Sequence, residues 1–363
     1  MANREIIVDG RVINDQSEMF FIAEIGQNHE GDVEKCKDLF RAAKEAGADS
    51  VKLQKRNNIS LYTKEYFNSS YNSENAYAPT YGLHREALEF GLDEWQELVR
   101  YSKELGITLF STAWDYSSAD FLAELDMPAF KMASGDLKTI PLLKYVASFG
   151  KPMFISTGGA SMRDVERAYD AVHPINPNIC IMQCTSGYPP TWEELNLNVI
   201  STYRERFKDI PIGFSSHDSG IAMGLASYML GARVLEKHFT LNRAWKGTDQ
   251  AFSLEPQGLD KLIRDLRRLT ISLGDGVKKT YPSEHKPLNK MGKKLVASRD
   301  LPAGHVLSAE DIALKSPGDG MPPYYQDFFV GQTLKVGMTE EQDFSFEAVG
   351  SDQAGADKAL GEV

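Results

Sequence analysis

Short apolar runs alternate with longer stretches of mixed apolar and charged residues from Phe20 to about Leu273. The runs FFIAEIG from Phe20, DSVKLQ from Asp49, ITLFST from Ile107, PAFKMAS from Pro128, PMFIST from Pro152, NICIMQCT from Asn178, IPIGFSS from Ile210 and RVLEKHFT from Arg233 read as β-strands. Between them lie helix-like segments such as VEKCKDLFRAAKEAG, DEWQELVRYSKELG, IPLLKYVASFG and SGIAMGLASYMLGA. Gly47, Gly106, Gly150 and Gly231 fall where left-handed C-terminal caps are expected. Strands alternating with helices imply βαβ units and parallel pairing. Eight such units predict an α/β fold, a (β/α)8 barrel over residues 1–274. The rival, a doubly wound sheet, calls for a Gly-rich nucleotide loop after its first strand; GQNHEGD stands there and lacks the G-x-G-x-x-G spacing.

After Gly274 the pattern changes. Residues 275–292, with Pro282 and Pro287, read as a polar linker. Residues 293–350 carry a strand–turn–strand pattern rich in Gly and Pro, and read as a second, small unit suited to recognition or dimer contact. Residues 351–363 are expected to be a disordered tail. The net charge of -11 and the lack of a Lys/Arg run argue against a nucleic-acid partner. Three cysteines without a CxxC pair argue against a disulfide framework. No apolar run reaches membrane-spanning length, and MANREIIVDG lacks the pattern of a secretory leader. A cytoplasmic enzyme without membrane contact is the expectation.

A barrel concentrates function at the C-terminal ends of its strands. Those positions hold Glu24; Lys52 and Gln54; Thr112; Lys131 and Ser134; Ser156; Thr185 and Ser186; Ser215 and His217; Glu236 and His238. A barrel interior is normally filled with branched apolar side chains, so this polar ring points to a ligand site. Two lysines among hydroxyls suit a ligand carrying both phosphate and carboxylate. His217 and His238, at the ends of neighbouring strands, suit a shared divalent cation, with Glu24 or Asp249 as further ligands; imidazole with oxygen suits Mn²⁺, Fe²⁺ or Zn²⁺. His29 lies beside the first strand end. Cys184 reads as a small buried hydrophobe. Trp114, Tyr188 and Trp245 follow strands and are placed to wall the mouth.

Taken together, FFIAEIGQNHEGD, ADSVKLQK, HREALEF, KMASGD, ISTGGAS, QCTSGYP, IPIGFSSHDSGI and LEKHFTL-x5-GTDQAFSLEP resemble the sialic acid synthase family. VASRDLPAGHVLSAEDIALK resembles that family's C-terminal antifreeze-like (SAF) domain. The resemblance implies a TIM barrel, a β-clip SAF domain and a domain-swapped homodimer. It implies condensation of phosphoenolpyruvate with an amino-sugar aldehyde, N-acetylmannosamine or its 6-phosphate, aided by a divalent metal, Mn²⁺ foremost with Mg²⁺ or Co²⁺ as alternatives. The phosphoenolpyruvate contacts then fall on Lys52, Gln54, Thr112, Lys131, Ser134, Ser156, Ser186 and Ser215. The metal ligands fall on His217 and His238, and the sugar contacts on Glu24, Tyr188 and Asp249. Glu24, Asp136 and Lys131 are the expected catalytic groups, with Glu24 or Asp136 moving protons.

Three positions depart from the common bacterial pattern: Asp136 stands for Glu, Ser186 for Asn, and Ser316 for the Arg that the SAF domain usually offers. Asp136 with QCTS-x-YP and WKGTDQ-x-x-SLEP is similar to the animal-type 9-phosphate synthases, which favours a phosphorylated acceptor. Rival readings are a synthase of a deaminated or legionaminic-type acid, a Schiff-base aldolase working through Lys131 or Lys52, and a non-catalytic sugar-binding protein.

Overall fold

The structure, a computed structural model, describes residues 4–361. It contains two compact units, divided between Gly274 and Asp275. In the first, an antiparallel hairpin of β1 (Glu5–Val8) and β2 (Arg11–Asn14) precedes eight strands: β3 (Phe20–Gly26), β4 (Ser50–Lys55), β5 (Thr108–Ala113), β6 (Phe130–Met132), β7 (Met153–Ser156), β8 (Ile179–Cys184), β9 (Ile212–Ser216) and β10 (Val234–His238). The eight close into a barrel in sequence order, β10 returning to β3, with every neighbouring pair parallel. All eight strands anticipated from the apolar runs are present, and closure excludes the doubly wound sheet. The structured part of PAFKMAS is short, because Ala133 leads into a 3-10 turn over Ser134–Asp136.

Strand alternation divides the barrel into two layers. Outward residues such as Phe21, Ala23 and Ile25 pack with Leu39, Phe40 and Ala43 of the helix Val33–Glu45. Inward residues Phe20, Ile22, Phe110, Phe154, Cys180, Met182 and Val234 form a second core. Ile6, Val8 and Ile13 of the hairpin join that inner core and close it. The hairpin was not anticipated, although its turn, Asp9-Gly10, carries a recognisable signal. Both residues have positive φ (50° and 78°), as a two-residue hairpin turn requires. The helices end as their caps predict: Gly106 adopts φ 63°, ψ 42° after the helix Leu92–Leu105.

In the second unit, β11 (Lys294–Ala297) pairs antiparallel with β12 (Ile312–Lys315) over a core that includes Leu295, Leu307, Phe329 and Phe344. Two expectations need correction. The linker contains a short helix, His285–Met291. The tail is not disordered over Gln353–Leu360, which form a helix capped by the Asp352 carboxylate. Ala356 is fully buried in the core of this unit, and Tyr325 Oη donates to Asp357 Oδ1 at 2.7 Å. A single small apolar face sufficed to dock a segment whose composition reads as polar. No helix among the described residues is long and apolar enough to cross a membrane.

Candidate active site

Above the apolar layer the inward positions turn polar. Register sets the neighbours: Glu24 stands beside Lys52, Gln54 beside Thr112, Thr112 beside Lys131, Ser215 beside Glu236, and His238 beside Glu24. They surround a cavity of about 200 Å³ at the C-terminal rim. Of the fourteen site residues anticipated from sequence, all but Asp136 and Asp249 line it. Trp114, Cys184 and Glu236 line it too. Trp245 instead lies under the Lys35 ammonium, 4.3 Å from its ring centroid. His29 is buried against Phe90, with ring centroids 4.3 Å apart, and its Nδ1 accepts from the Gly31 amide.

The floor is a network of buried charges. Lys52 Nζ lies 2.7 Å from Glu24 Oε2 and donates to Thr112 Oγ1 at 2.9 Å. Lys131 Nζ donates to Ser156 Oγ at 2.6 Å. Glu236 sits between the lysines, with carboxylate oxygens 3.8 Å from each ammonium, and accepts from Ser215 Oγ at 3.0 Å. The sequence places Glu236 at the rim and gives it no role; only the closed barrel shows that it bridges two lysines, one on β4 and one on β6. Burial raises the Glu24 pKa by more than Lys52 lowers it, and Glu236 adds to the rise. For Glu236, burial is outweighed by Lys131 and then Lys52, so its pKa falls below the ordinary carboxylate value. The two carboxyls are thus driven in opposite directions, Glu24 toward holding its proton and Glu236 toward the anion. Burial also lowers the Lys131 pKa.

Gln54 Nε2 donates to Glu24 Oε1 at 2.7 Å and orients it. Gly26 makes room for that contact, since a Cβ there would lie 3.1 Å from both partner atoms. Arg56, stacked 4.2 Å from the Trp114 ring centroid, donates in turn to Gln54 Oε1. On the other side, Ser134 Oγ accepts from the Gly158 amide at 2.9 Å. A Cβ on Gly158 would fall 2.0 Å from Ser186 Oγ and 2.8 Å from Ser134 Oγ, so glycine there lets two hydroxyls converge.

The two imidazoles stand with ring centroids 5.3 Å apart, and Tyr188 lies 4.2 Å from the His217 ring. His217 Nδ1 faces the Thr185 carbonyl at 3.0 Å. A carbonyl only accepts, so Nδ1 carries the proton, and in the neutral ring Nε2 keeps a lone pair. His238 is held neutral by burial, its pKa lowered to about 4. Its Nδ1 is buried with no hydrogen-bond partner, 3.7 Å from Asp249 Oδ2. Among the described residues no three His, Cys, Asp or Glu side chains form a ready cation cage. Asp136, in the 3-10 turn after β6, has an orphaned buried Oδ2 and a pKa pushed up to about 6, chiefly by burial. The loops after β4 and β10 are tied together by Tyr77 Oη donating to the Lys246 carbonyl at 2.7 Å and Lys246 Nζ to the Ala76 carbonyl at 2.6 Å.

The chain is 42% identical to the N-acetylneuraminate-9-phosphate synthase of Homo sapiens, over 92% of this chain and 93% of the human one. It is 34% identical to the N,N'-diacetyllegionaminic acid synthase of Campylobacter jejuni, over 88% and 97% of the two chains. Among solved structures, the N-acetylneuraminic acid synthetase of Leptospira borgpetersenii in complex with citrate superposes with a TM-score of 0.69 at 28% identity, covering 78% of this chain and 95% of that one. The SAF domain matches residues 294–342. With the NeuB family matching residues 39–278, a span that holds the whole polar ring except Glu24, this barrel and its charged mouth belong to the NeuB family.

Proposed function

We propose that the chain is a sialic acid synthase that condenses phosphoenolpyruvate with an N-acetylmannosamine-type aldehyde, its 6-phosphate foremost, and releases phosphate. The observation that carries this reading is the convergence of two lysines, five serine and threonine hydroxyls and an imidazole pair on one barrel-mouth cavity, in a chain 42% identical to a 9-phosphate synthase.

In the proposed reaction, Lys52 and Lys131 with Thr112, Ser134, Ser156, Ser186 and Ser215 hold the phosphate and carboxylate of phosphoenolpyruvate. C3 of that substrate forms a bond to the aldehyde carbon, the aldehyde oxygen takes a proton, water adds at C2, and the C2–O bond to phosphate breaks. Glu24, the buried carboxyl whose pKa is raised by burial, donates to the aldehyde oxygen. Glu236 keeps the lysines apart and aimed, and holding both substrates in one cavity removes much of the entropic barrier.

The imidazoles fit a divalent cation. His238 offers an orphaned buried nitrogen, and His217 shows the arrangement usual in metal-ligating histidines, one ring nitrogen anchored on a carbonyl and the other free. His217 and His238 would hold the cation, Mn²⁺ foremost, with the Asp249 carboxylate 3.7 Å from His238 Nδ1. Such an ion supplies Lewis-acid polarisation of the carbonyl. The reading also carries a homodimer in a reducing compartment; the three cysteines are free and buried.

The test is phosphate release from phosphoenolpyruvate with Mn²⁺ against N-acetylmannosamine, its 6-phosphate, mannose 6-phosphate and a diacetylated bacillosamine-type sugar, with product masses. The expected result is one phosphate per nine-carbon acid formed, fastest with N-acetylmannosamine 6-phosphate. Full activity after exhaustive EDTA treatment, or a pyruvate adduct trapped on Lys131 by borohydride, would overturn it.

A further inference from the structure

The ladder between β9 and β10 ends one residue short of the imidazoles. Its last paired residues are Ser216 and Lys237, and His217 and His238 lie just beyond them. On the side of β10 facing His217, no backbone pairing therefore fixes the distance between the two rings. A side-chain arrangement continues where the ladder stops. Lys237 alternates outward, between the inward-facing Glu236 and His238. Its ammonium reaches across to the turn that carries His217. Nζ lies 2.9 Å from Asp218 Oδ1 and donates to the Asp218 carbonyl at 2.8 Å and to Ser216 Oγ at 3.4 Å. The Ser216 hydroxyl donates to the same Asp218 carboxylate. Both charged side chains are 2% exposed.

An ion pair sunk behind a sheet adds little net stability, because desolvation cancels much of the attraction. Its geometric effect is direct. The contact to the Asp218 carbonyl pins the backbone one residue after His217, and the Ser216 contact pins it one residue before. On the other strand the anchor is the immediate neighbour of His238.

We propose that Lys237, Asp218 and Ser216 form a clamp that positions His217 and His238 as a pair, setting the affinity of the barrel mouth for a divalent cation. The proposal rests on the reading of these imidazoles as the cation ligands. The three are positioning residues: they act through the histidines and do not line the cavity.

The test is Mn²⁺ binding to the full chain, read from the EPR signal of free Mn²⁺, together with thermal unfolding of the metal-free protein. His217→Ala and His238→Ala come first and should abolish binding; if they do not, the ligand reading itself fails and the clamp with it. Given that loss, Lys237→Met and Asp218→Asn should raise the Mn²⁺ Kd by about 10- to 100-fold, the range found when groups supporting metal ligands are removed. Ser216→Ala should raise it less. Phe154→Leu, in the apolar layer, is the control for lost stability and should leave the Kd unchanged. A Kd within two-fold of the parent in the clamp variants, or an equal rise in Phe154→Leu, would overturn the clamp while leaving the ligand reading intact. Should Lys237→Met not fold, Asp218→Asn and Ser216→Ala decide by the same criterion.

Discussion

The two halves of the barrel interior are built by the same strands and differ in everything else. Near the strand N-termini the inward residues are Phe20, Phe110, Phe154 and Val234, closed off by Ile6, Val8 and Ile13. One or two inward positions further along each strand stand Glu24, Lys52, Thr112, Lys131, Ser156 and Glu236, all buried as deeply as the apolar residues. The first layer contributes burial and shape. Phe154 stacks among Phe20 and Phe110 at centroid distances of 6.1 and 5.3 Å. The second layer keeps charges in a dry setting only because each is paired or hydrogen-bonded. The lower layer therefore holds the barrel together, while the upper one is held by it. A polar ring of this kind contributes little net stability, and its contribution lies in pre-aimed charge.

That division is open to direct attack. The largest effect is expected from Glu24→Gln, which keeps the shape but removes the proton: kcat should fall by about 10²–10⁴-fold. In the parent, turnover should decline as pH rises through the raised Glu24 pKa, because the donor is then lost, and that limb should vanish from the variant's kcat–pH profile. Lys131→Met should lower kcat/KM for phosphoenolpyruvate by about 10²–10³-fold, the range for removal of a pre-aimed stabilising group. A change confined to the acceptor KM would contradict the assignment.

Phe154→Ala attacks the other layer. Denaturant unfolding should show a loss of about 3–5 kcal/mol, with the KM for phosphoenolpyruvate unchanged in the folded fraction. A KM that moved with stability would mean that the layers are not separable. The smallest effect is expected from Asp136→Asn. The folded-state pKa of Asp136 is raised to about 6, so its contribution favours folding at low pH and is lost as pH rises through that value. The variant should be more stable than the parent at pH 8 by about 1–2 kcal/mol after allowance for partial exposure, and no more stable at pH 4. Equal stabilisation at both pH values would contradict the shift.

Much of the comparison was legible before any coordinates. The eight short apolar runs marked the strands, and the polar residues at their ends marked the mouth. Less legible were features that depend on partners distant in the chain. Asp136 and Asp249 read as equals of the other site residues, yet one sits in a turn and the other on a loop, outside the cavity lining. The Asp9-Gly10 hairpin and the helix Gln353–Leu360 were missed because each is short, and each owes its burial to a core it joins.

What the residues determine on their own is local: where the strands run, which side chains share a face, and that charges gather at strand ends. That follows from the alternation of side chains along extended backbone, which needs no neighbour to define it. What the closed barrel alone decides is how those charges divide. Glu24 and Glu236 are the same chemical group on adjacent strands, and the number of ammonium neighbours, one for Glu24 and two for Glu236, drives their proton affinities in opposite directions. Interactions through space depend on burial and separation, and both come into being when the last strand meets the first.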